Sequence, residues 1–472
     1  MSLFFKTKGL SYGQKKRPHC APCRKDTGAM KKLTEGNPFK VIILFSIPLL
    51  IGQLFQLFYN LVDTRIVGET LGESALAAVG ATTTLSDLIV QFIVGVTSGF
   101  AILVAHFFGA KDRKNLKKTI GGTLLLGVLA SLLITVVCLV LLDPFLRLLN
   151  VEDAIYTDAK GYIRIILAGL IFTALYNICA GVLRAIGDTI TPLIFLIFSA
   201  FVNIVLDYTL ILYAHMGVEG AALATVLSQV LSVVLCFGYI RRKYVDLIPG
   251  INELRPDKEL YHRLLQSGIS MGFMSSFVNL GTLFLQTCIN TFGAVIIVSH
   301  AASRKLTSIF MLPFGILSMT MATYCGQNMG AGRYDRIRTG IKDALIMAGI
   351  WCIFVVFITY PFTPKLVHMI TALDNPVILQ TSAKYLRINS TFYFITAIIC
   401  LFRNAMQGFG DTKTPILSSL LELLTKLLIA FFLAPKIGYF GIIISEPIAW
   451  AIMVIPLIVN MLRWERMHRG RS

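Results

Sequence analysis

Long apolar runs alternate with short basic connectors along most of the chain. Runs such as 43–62, 119–142 and 190–213 exceed the roughly 18 residues at which an apolar stretch reads as a membrane-crossing helix. Lipid offers the backbone no hydrogen-bond partner, so runs of this length must be helical. Transmembrane strands would be shorter and would alternate, and these runs do not. The pattern predicts an all-α integral membrane protein of twelve helices. They lie near 40–66, 78–108, 119–142, 160–184, 190–213, 218–241, 262–290, 295–326, 339–361, 383–407, 414–434 and 438–461. The longest predicted breaks fall at 143–159, 242–261 and 362–382.

The connectors orient the bundle. Those after even-numbered helices are cationic, as in Lys111, Arg113, Lys114, Lys117 and Lys118, or Arg333, Arg336, Arg338 and Lys342. Connectors after odd-numbered helices carry only Arg147, Lys160, Lys365 and Lys436. The positive-inside rule then places both termini in the cytoplasm.

The halves resemble one another. GVLRAIGDTITP at 181–192 recurs as NAMQGFGDTKTP at 404–415, an offset of 223, and FFGAKDRKNLKKTI at 107–120 recurs more loosely as NMGAGRYDRIRTGI at 328–341. Both copies of each motif fall on the same predicted side, which describes a parallel repeat of two pseudo-symmetric six-helix lobes. The expected division is a basic, disordered cytoplasmic tail at 1–38, a first lobe at 39–241, a linker at 242–261, a second lobe at 262–462 and a basic tail at 463–472. Two similar bundles can rock about a central cleft, which supplies alternating access.

Composition agrees: 56% of the 472 residues are hydrophobic and 14% charged, against roughly 25% charged in soluble domains. The net charge of +18 does not indicate nucleic acid, because residues 1–40 alone hold ten Lys/Arg and two acids. Cys20 and Cys23 make a C-x-x-C beside His19, but no second pair follows to complete a zinc site. Met30 opens the MKKLTEGNPFK lead into the first helix, so it could be the natural start; no apolar segment of a cleavable signal precedes it. The seven histidines are dispersed, and neither a phosphate-binding loop nor a zinc-protease motif occurs, which disfavours a membrane-embedded enzyme.

Ionisable groups inside a membrane are costly and become functional candidates by default. Asp63 lies in helix 1, Asn203 and Asp207 one turn apart in helix 5, and Thr225 in helix 6. The predicted ends put all three helices' oxygens at one depth. Two carboxylates held close cannot easily both ionise, so the pair could hold a proton or, with Asn203 and Thr225, coordinate Na+. Asp63 could instead be solvated at the membrane interface and paired with Arg65. Asp87, Gln53, Gln56 and Gln91 could line the same cavity or act as interhelical hydrogen-bond glue. In the second lobe Lys426 aligns with Asn203, Ala430 with Asp207 and Glu446 with Thr225. Glu422 and Lys426 could neutralise each other, while His300, Arg304 and Lys305 could face an anionic group or sit near a mouth.

The TEGNPFK lead, the FSIPLLIGQLFQLFYNLVDTRIVG helix, the RAIGDTITP and QGFGDTKTP repeats and the SEPIAW helix together resemble the multidrug and toxic compound extrusion family, and more closely its bacterial DinF-like branch. The resemblance covers residues 34 to about 462. It implies an efflux transporter that exchanges organic cations or other amphipathic compounds for H+ or Na+, as a monomer among membrane lipids and without a cofactor. It also implies that coupling resides in the first lobe, at Asp63, Asn203, Asp207 and Thr225, with Tyr162 beside them. Predicted helices 7, 8 and 10 contain no Asp or Glu, so a sodium site of the NorM-like kind in the second lobe is not expected. A lipid or polysaccharide-precursor flippase of the related superfamily is the alternative.

Overall fold

Asn37 opens the first spanning helix. Its side chain accepts a hydrogen bond from the Lys40 N–H at 3.4 Å, and Pro38 occupies the first helical position. An amide acceptor at the cap and a proline just inside it satisfy or remove the otherwise unpaired N–H groups of a helix start. In a computed structural model, residues 32–149, 151–250, 253 and 257–469 are described. All lie in one compact unit, and none of them is in a β-strand. His19, Cys20, Cys23, Met30, Arg255 and Arg471 lie outside the described residues.

Helical structure continues from Pro38 to Gly109 without a loop. At 1.5 Å per residue those 72 residues would measure about 108 Å, more than three times a hydrocarbon core of roughly 30 Å. Gly72, at φ 83° and ψ −174°, divides them. A side chain at that φ/ψ would be strained, and glycine has none. The result is α1 (38–71) and α2 (73–109). There follow α3 (Arg113–Val140), α4 (Asp153–Ala168 bent by 41° into Leu170–Ala185), α5 (Ile190–Tyr208, prolonged by a π-turn at Thr209–Tyr213) and α6 (Gly217–Lys243). The second lobe repeats the plan. It has α7 (Lys258–Ile289), α8 (Ala294–Gly330), α9 (Tyr334–Thr371), α10 (Pro376–Thr391 bent by 53° into Tyr393–Phe409), α11 (Lys413–Leu428, prolonged by a π-turn at Ile429–Leu433) and α12 (Tyr439–His468).

The repeat is thus carried into three dimensions. Fourth helices bend, fifth helices end in π-turns, and Gly187 and Gly410 take φ of 93° and 88°. Asp188 and Asp411 then accept from the N–H groups of Thr191 at 3.1 Å and Thr414 at 3.2 Å. The shared Gly-Asp-Thr is a turn followed by a helix cap.

Two expected breaks are mostly helix. Leu142–Leu148 is a short helix and α4 begins by Asp153, while α9 continues to Thr371. Falling hydropathy marks the edge of the apolar layer, where a helix has no reason to stop. The prolines Pro361 and Pro364 do not end α9 either. Pro364 leaves the Tyr360 carbonyl without its helical N–H, and Arg387 Nε on α10 donates to that oxygen at 3.1 Å.

Apolar side chains cover the outside: Val140 on α3 and Ile353 and Phe357 on α9 are each 73% exposed. Water would not tolerate such a belt, and lipid does. Between the lobes, packing concentrates toward the end of the bundle that carries the Lys/Arg-rich connectors. There α2 meets α7 and α8 with backbones in contact. A Cβ on Gly99 would overlap Ser267, one on Gly109 would overlap the Gln327 carbonyl, and one on Gly330 would overlap the His106 carbonyl. The Ser267 hydroxyl donates to the Gly99 carbonyl at 2.9 Å. Phe92 of α2 and Phe273 of α7 pack edge to face across the lobes, their ring centroids 5.8 Å apart.

Gln327 ties this end together. Its Oε1 accepts from the Leu33 N–H at 3.0 Å and its Nε2 donates to the Ala185 carbonyl at 2.7 Å. Arg336 donates to the carbonyls of Leu33, Glu35 and Gly36. Leu33 is 1% exposed. The expected disordered tail at 1–38 is corrected here, since residues 33–38 are built into the fold. Outside the membrane layer, Lys118 binds Asp257 of the linker at 3.0 Å and holds that carboxyl below the usual range.

Candidate functional site

The site is built on the face that α1 turns toward α5. Helical spacing places Gly52, Tyr59 and Asp63 along one side of α1. A Cβ at Gly52 would lie 3.3 Å from Leu193 of α5, so the helices run close. Asp207 and Asn203, four residues apart on α5, are fully buried. The carboxyl groups of Asp63 and Asp207 lie within reach of each other. Their Oδ1 atoms accept nothing from any other described residue. A carboxylate has no proton to donate, so a hydrogen bond between the two forms only when one of them holds a proton.

Asn203 organises the surroundings. With its amide oriented to satisfy every neighbour, Nδ2 donates to the Tyr59 hydroxyl at 3.1 Å and to Asp207 Oδ2 at 3.0 Å, and Oδ1 accepts from the Thr225 N–H at 3.2 Å. Tyr59 also lies beside the Thr225 side chain. The Thr225 hydroxyl donates to the Ala221 carbonyl at 3.1 Å, which leaves it to accept from the tyrosine. Tyr162 completes the wall, its phenol within electrostatic reach of Asp63, Asp207 and Asp87. The bend of α4 aims it there. A Cβ at Gly169 would overlap Val226 of α6, so glycine at the bend lets α4 and α6 come together. Ile66, Val67, Ala75, Ile211, Val218 and Ala221 form an apolar cluster on the side away from the basic end.

Asp63, Asn203, Asp207, Thr225 and Tyr162 are therefore brought together. Asp63 does not pair with Arg65, which binds Glu69 at 2.6 Å instead. Gln53, Gln56, Gln91 and Asp87 make no side-chain hydrogen bond to a described residue, so the role of interhelical glue is corrected. Gln56, Gln91 and Asp87 are exposed. Tyr59 was missed in the sequence, although it stands one turn before Asp63 on the same face. The oxygens assembled are two carboxyls, an amide, a hydroxyl and two phenols, which can hold a proton or a small hard cation. Among the described residues no group of three or more His, Cys, Asp or Glu could hold a metal ion.

The second lobe holds a different arrangement at the equivalent level. Glu422 pairs with Lys426 at 3.0 Å, as expected, and with Arg403 at 3.1 Å; Lys426 also reaches Glu446 at 3.3 Å, and Glu446 reaches Arg304 at 3.3 Å. Tyr385, at the offset-223 counterpart of Tyr162, hydrogen-bonds Arg304. Gly281 on α7 leaves room for the Lys426 stem, whose Cδ lies 3.0 Å from where a Cβ would be. Each buried charge has an opposite partner, the condition under which such groups are tolerated. His300 is corrected as a candidate for an anionic group: its Nδ1 meets the Tyr439 hydroxyl at 3.1 Å, and its ring packs edge-on against Tyr385 and Tyr439. It is a satisfied core histidine.

The MatE family model matches the chain twice, over residues 48–209 and 271–432. The two starts, like the two ends, are separated by the offset of the Gly-Asp-Thr repeat. The probable multidrug resistance protein YoeA of Bacillus subtilis (strain 168) is 26% identical over 440 residues, covering 90% of this chain and 94% of that protein. The multidrug export protein MepA of Staphylococcus aureus (strain MRSA252) is 24% identical over 431 residues, with 90% and 94% covered. A crystal structure of MATE in the bent conformation superposes with a TM-score of 0.87 at 23% identity, covering 94% of this chain and 99% of that one. An outward-facing multidrug resistance MATE family transporter of the MOP superfamily gives 0.84 at 24% identity, covering 94% and 98%. With the family model matched in both halves of a two-lobed, twelve-helix bundle, the chain belongs to the MatE family of multidrug and toxic compound extrusion transporters.

Proposed function

We propose that this protein is a secondary active multidrug antiporter of a bacterial inner membrane, exporting organic cations or amphipathic compounds in exchange for H+ or Na+. The observation that carries the reading is the carboxyl–carboxyl contact of Asp63 and Asp207, walled by Tyr59, Asn203, Tyr162 and Thr225. Two carboxyls held this close cannot easily both ionise, which makes the pair a natural place to load and release a cation. Taking up a proton or a sodium ion would change how the two carboxyls meet and repack α1 against α5. Because α1 also packs its inner end against the second lobe, through the 2.9 Å Ser46–Thr320 contact, such repacking would reach the cleft where substrate rests.

In this reading the basic end faces the cytoplasm, as the Lys/Arg connectors require, and the lobes are closed on that side. Substrate then leaves toward the opposite side while the cation site is loaded, and return of the lobes delivers the cation inward. The second lobe, its charges already paired with one another, does not exchange an ion.

The test is efflux from proteoliposomes under separately imposed pH and sodium gradients, with Asp63→Asn and Asp207→Asn beside the parent. Efflux that follows one gradient and collapses in both variants supports antiport. Efflux indifferent to both gradients removes it.

A further inference from the structure

Among the described residues four arginines reach into the interior of the bundle, and three of them are answered by protein acceptors. Arg304 and Arg403 pair with Glu446 and Glu422, and Arg336 donates to three carbonyls and to Asn328 Oδ1. The fourth, Arg184, has no hydrogen bond and no ion pair to any described residue. Its nearest downstream acid, Asp188, is turned to Thr191, Tyr239 and Tyr244. Arg184 stands in the last turn of α4, where a cation favours the helix dipole. That role explains a positive charge at this position, but not a guanidinium without an acceptor inside the protein.

Arg184 lines a cavity of about 160 Å³ between the lobes, toward the basic end. First-lobe residues Ser98 and Gly181 face second-lobe residues Ser318, Thr323 and Asn404 across it. Arg184 is the one charged residue in the lining, and no acid contributes. The Ser98 hydroxyl likewise has no partner among the described residues. The repeat sharpens the contrast. The residue at the offset-223 position is Gln407, which donates to the Ser270 hydroxyl at 2.6 Å and serves as internal glue. The first lobe therefore carries a forked cation where the second carries a neutral amide.

We propose that Arg184 and Ser98 form a subsite for an oxyanion, a carboxylate or phosphate, at the head of an amphipathic ligand. The guanidinium fork matches the two oxygens of such a group. The volume admits a headgroup with a few methylenes, well short of the roughly 300 Å³ or more that encloses a drug-sized molecule. The tail of the ligand must extend outside this cavity. The subsite deepens the transporter reading by naming a second substrate chemistry besides organic cations, and its binding half stands whether or not the protein exchanges ions.

The experiment uses the purified full chain in a neutral maltoside detergent. Fluorescence titration compares 11-(dansylamino)undecanoic acid with its uncharged methyl ester. Parent protein should bind the acid at least about tenfold more tightly, the yield of a charge-assisted hydrogen bond. R184Q should abolish that preference and R184K should keep part of it. S98D, which places a carboxylate opposite the guanidinium, should abolish it with Arg184 still present, so the result does not hang on one variant's folding. Equal affinity for acid and ester in the parent, or a preference surviving in either R184Q or S98D, overturns the proposal. Displacement by inorganic phosphate identifies a site open to free oxyanions, and displacement by dodecyl phosphate alone identifies an amphiphile headgroup. Displacement by neither also overturns it. Equal affinity for acid and ester in the parent with gradient-driven efflux intact counts against this subsite only, and acid preference in the parent without gradient-driven efflux counts against antiport only.

Discussion

Asp63 and Asp207 reach each other from helices that are far apart in the chain, and each is the other's partner. No lysine or arginine stands between them, and the two tyrosines, Asn203 and Thr225 around them are neutral hydrogen-bonding groups. The pair therefore depends on a proton or a bound cation for its balance of charge, which ties its occupancy to the medium.

Asp63→Asn and Asp207→Asn should each fold, because an amide can donate to the remaining carboxyl and preserve the contact. Neither should couple. Gradient-driven efflux should drop by at least about tenfold, the scale on which one lost charge-dependent step is felt, while the melting temperature stays within a few degrees of the parent. Substantial gradient-dependent efflux in both variants would be incompatible with the site.

Tyr59→Phe removes the hydroxyl that accepts from Asn203. The cost should be about 1 kcal/mol of stability, the usual net worth of such a bond, with efflux reduced less than in the aspartate variants. Thermal unfolding and efflux on the same preparation check it. A loss as complete as that of Asp63→Asn would mean that the phenol takes part in ion transfer itself.

Glu422→Gln leaves Arg403 and Lys426 in the second lobe without the carboxylate that both share. Removing one member of a buried ion pair costs about 3–5 kcal/mol, so the variant should unfold at a clearly lower temperature. Combining it with Arg403→Met should recover part of the loss, since Lys426 keeps Glu446 and the cation left without an acid is then gone. A double variant no more stable than the single one would contradict this account of the network.

Gln327→Ala releases the Leu33 N–H and the Ala185 carbonyl together. The basic end should open more readily. A cysteine introduced at Ser267, which is 2% exposed, should then be labelled by a membrane-impermeant thiol reagent severalfold faster than in the parent. The comparison needs a background without accessible native thiols. Unchanged labelling would show that glycine packing closes this end without the amide.

Much of this was legible in one dimension, for identifiable reasons. The count of twelve helices follows from the lipid's inability to satisfy a backbone, which makes each long apolar run declare itself. The Gly-Asp-Thr repeat could be read because a positive-φ glycine and a capping aspartate are local devices. Asp63, Asn203 and Asp207 were visible because carboxyl and amide groups are costly in apolar runs. Helix ends at 143–159 and 362–382 were not legible, because hydropathy reports the edge of the lipid and says little about where a helix stops. The continuation through Pro364 depends on Arg387, a residue from another helix, supplying the missing donor.

The amino-acid sequence by itself determined the class of protein, its twofold repeat, its expected orientation and which rare polar residues would matter. Only the tertiary structure decided their company. It joined Asp63 to Asp207 and added Tyr59. It bound Arg304, Arg403, Glu422, Lys426 and Glu446 into one network, and it left Arg184 facing a cavity. The physical reason is that burying a charge is expensive for every residue alike, so its presence in an apolar run announces significance. Whether its cost is met by a proton, a neighbouring ion or a ligand depends on atoms brought close by folding, and those distances are not written in the order of the residues.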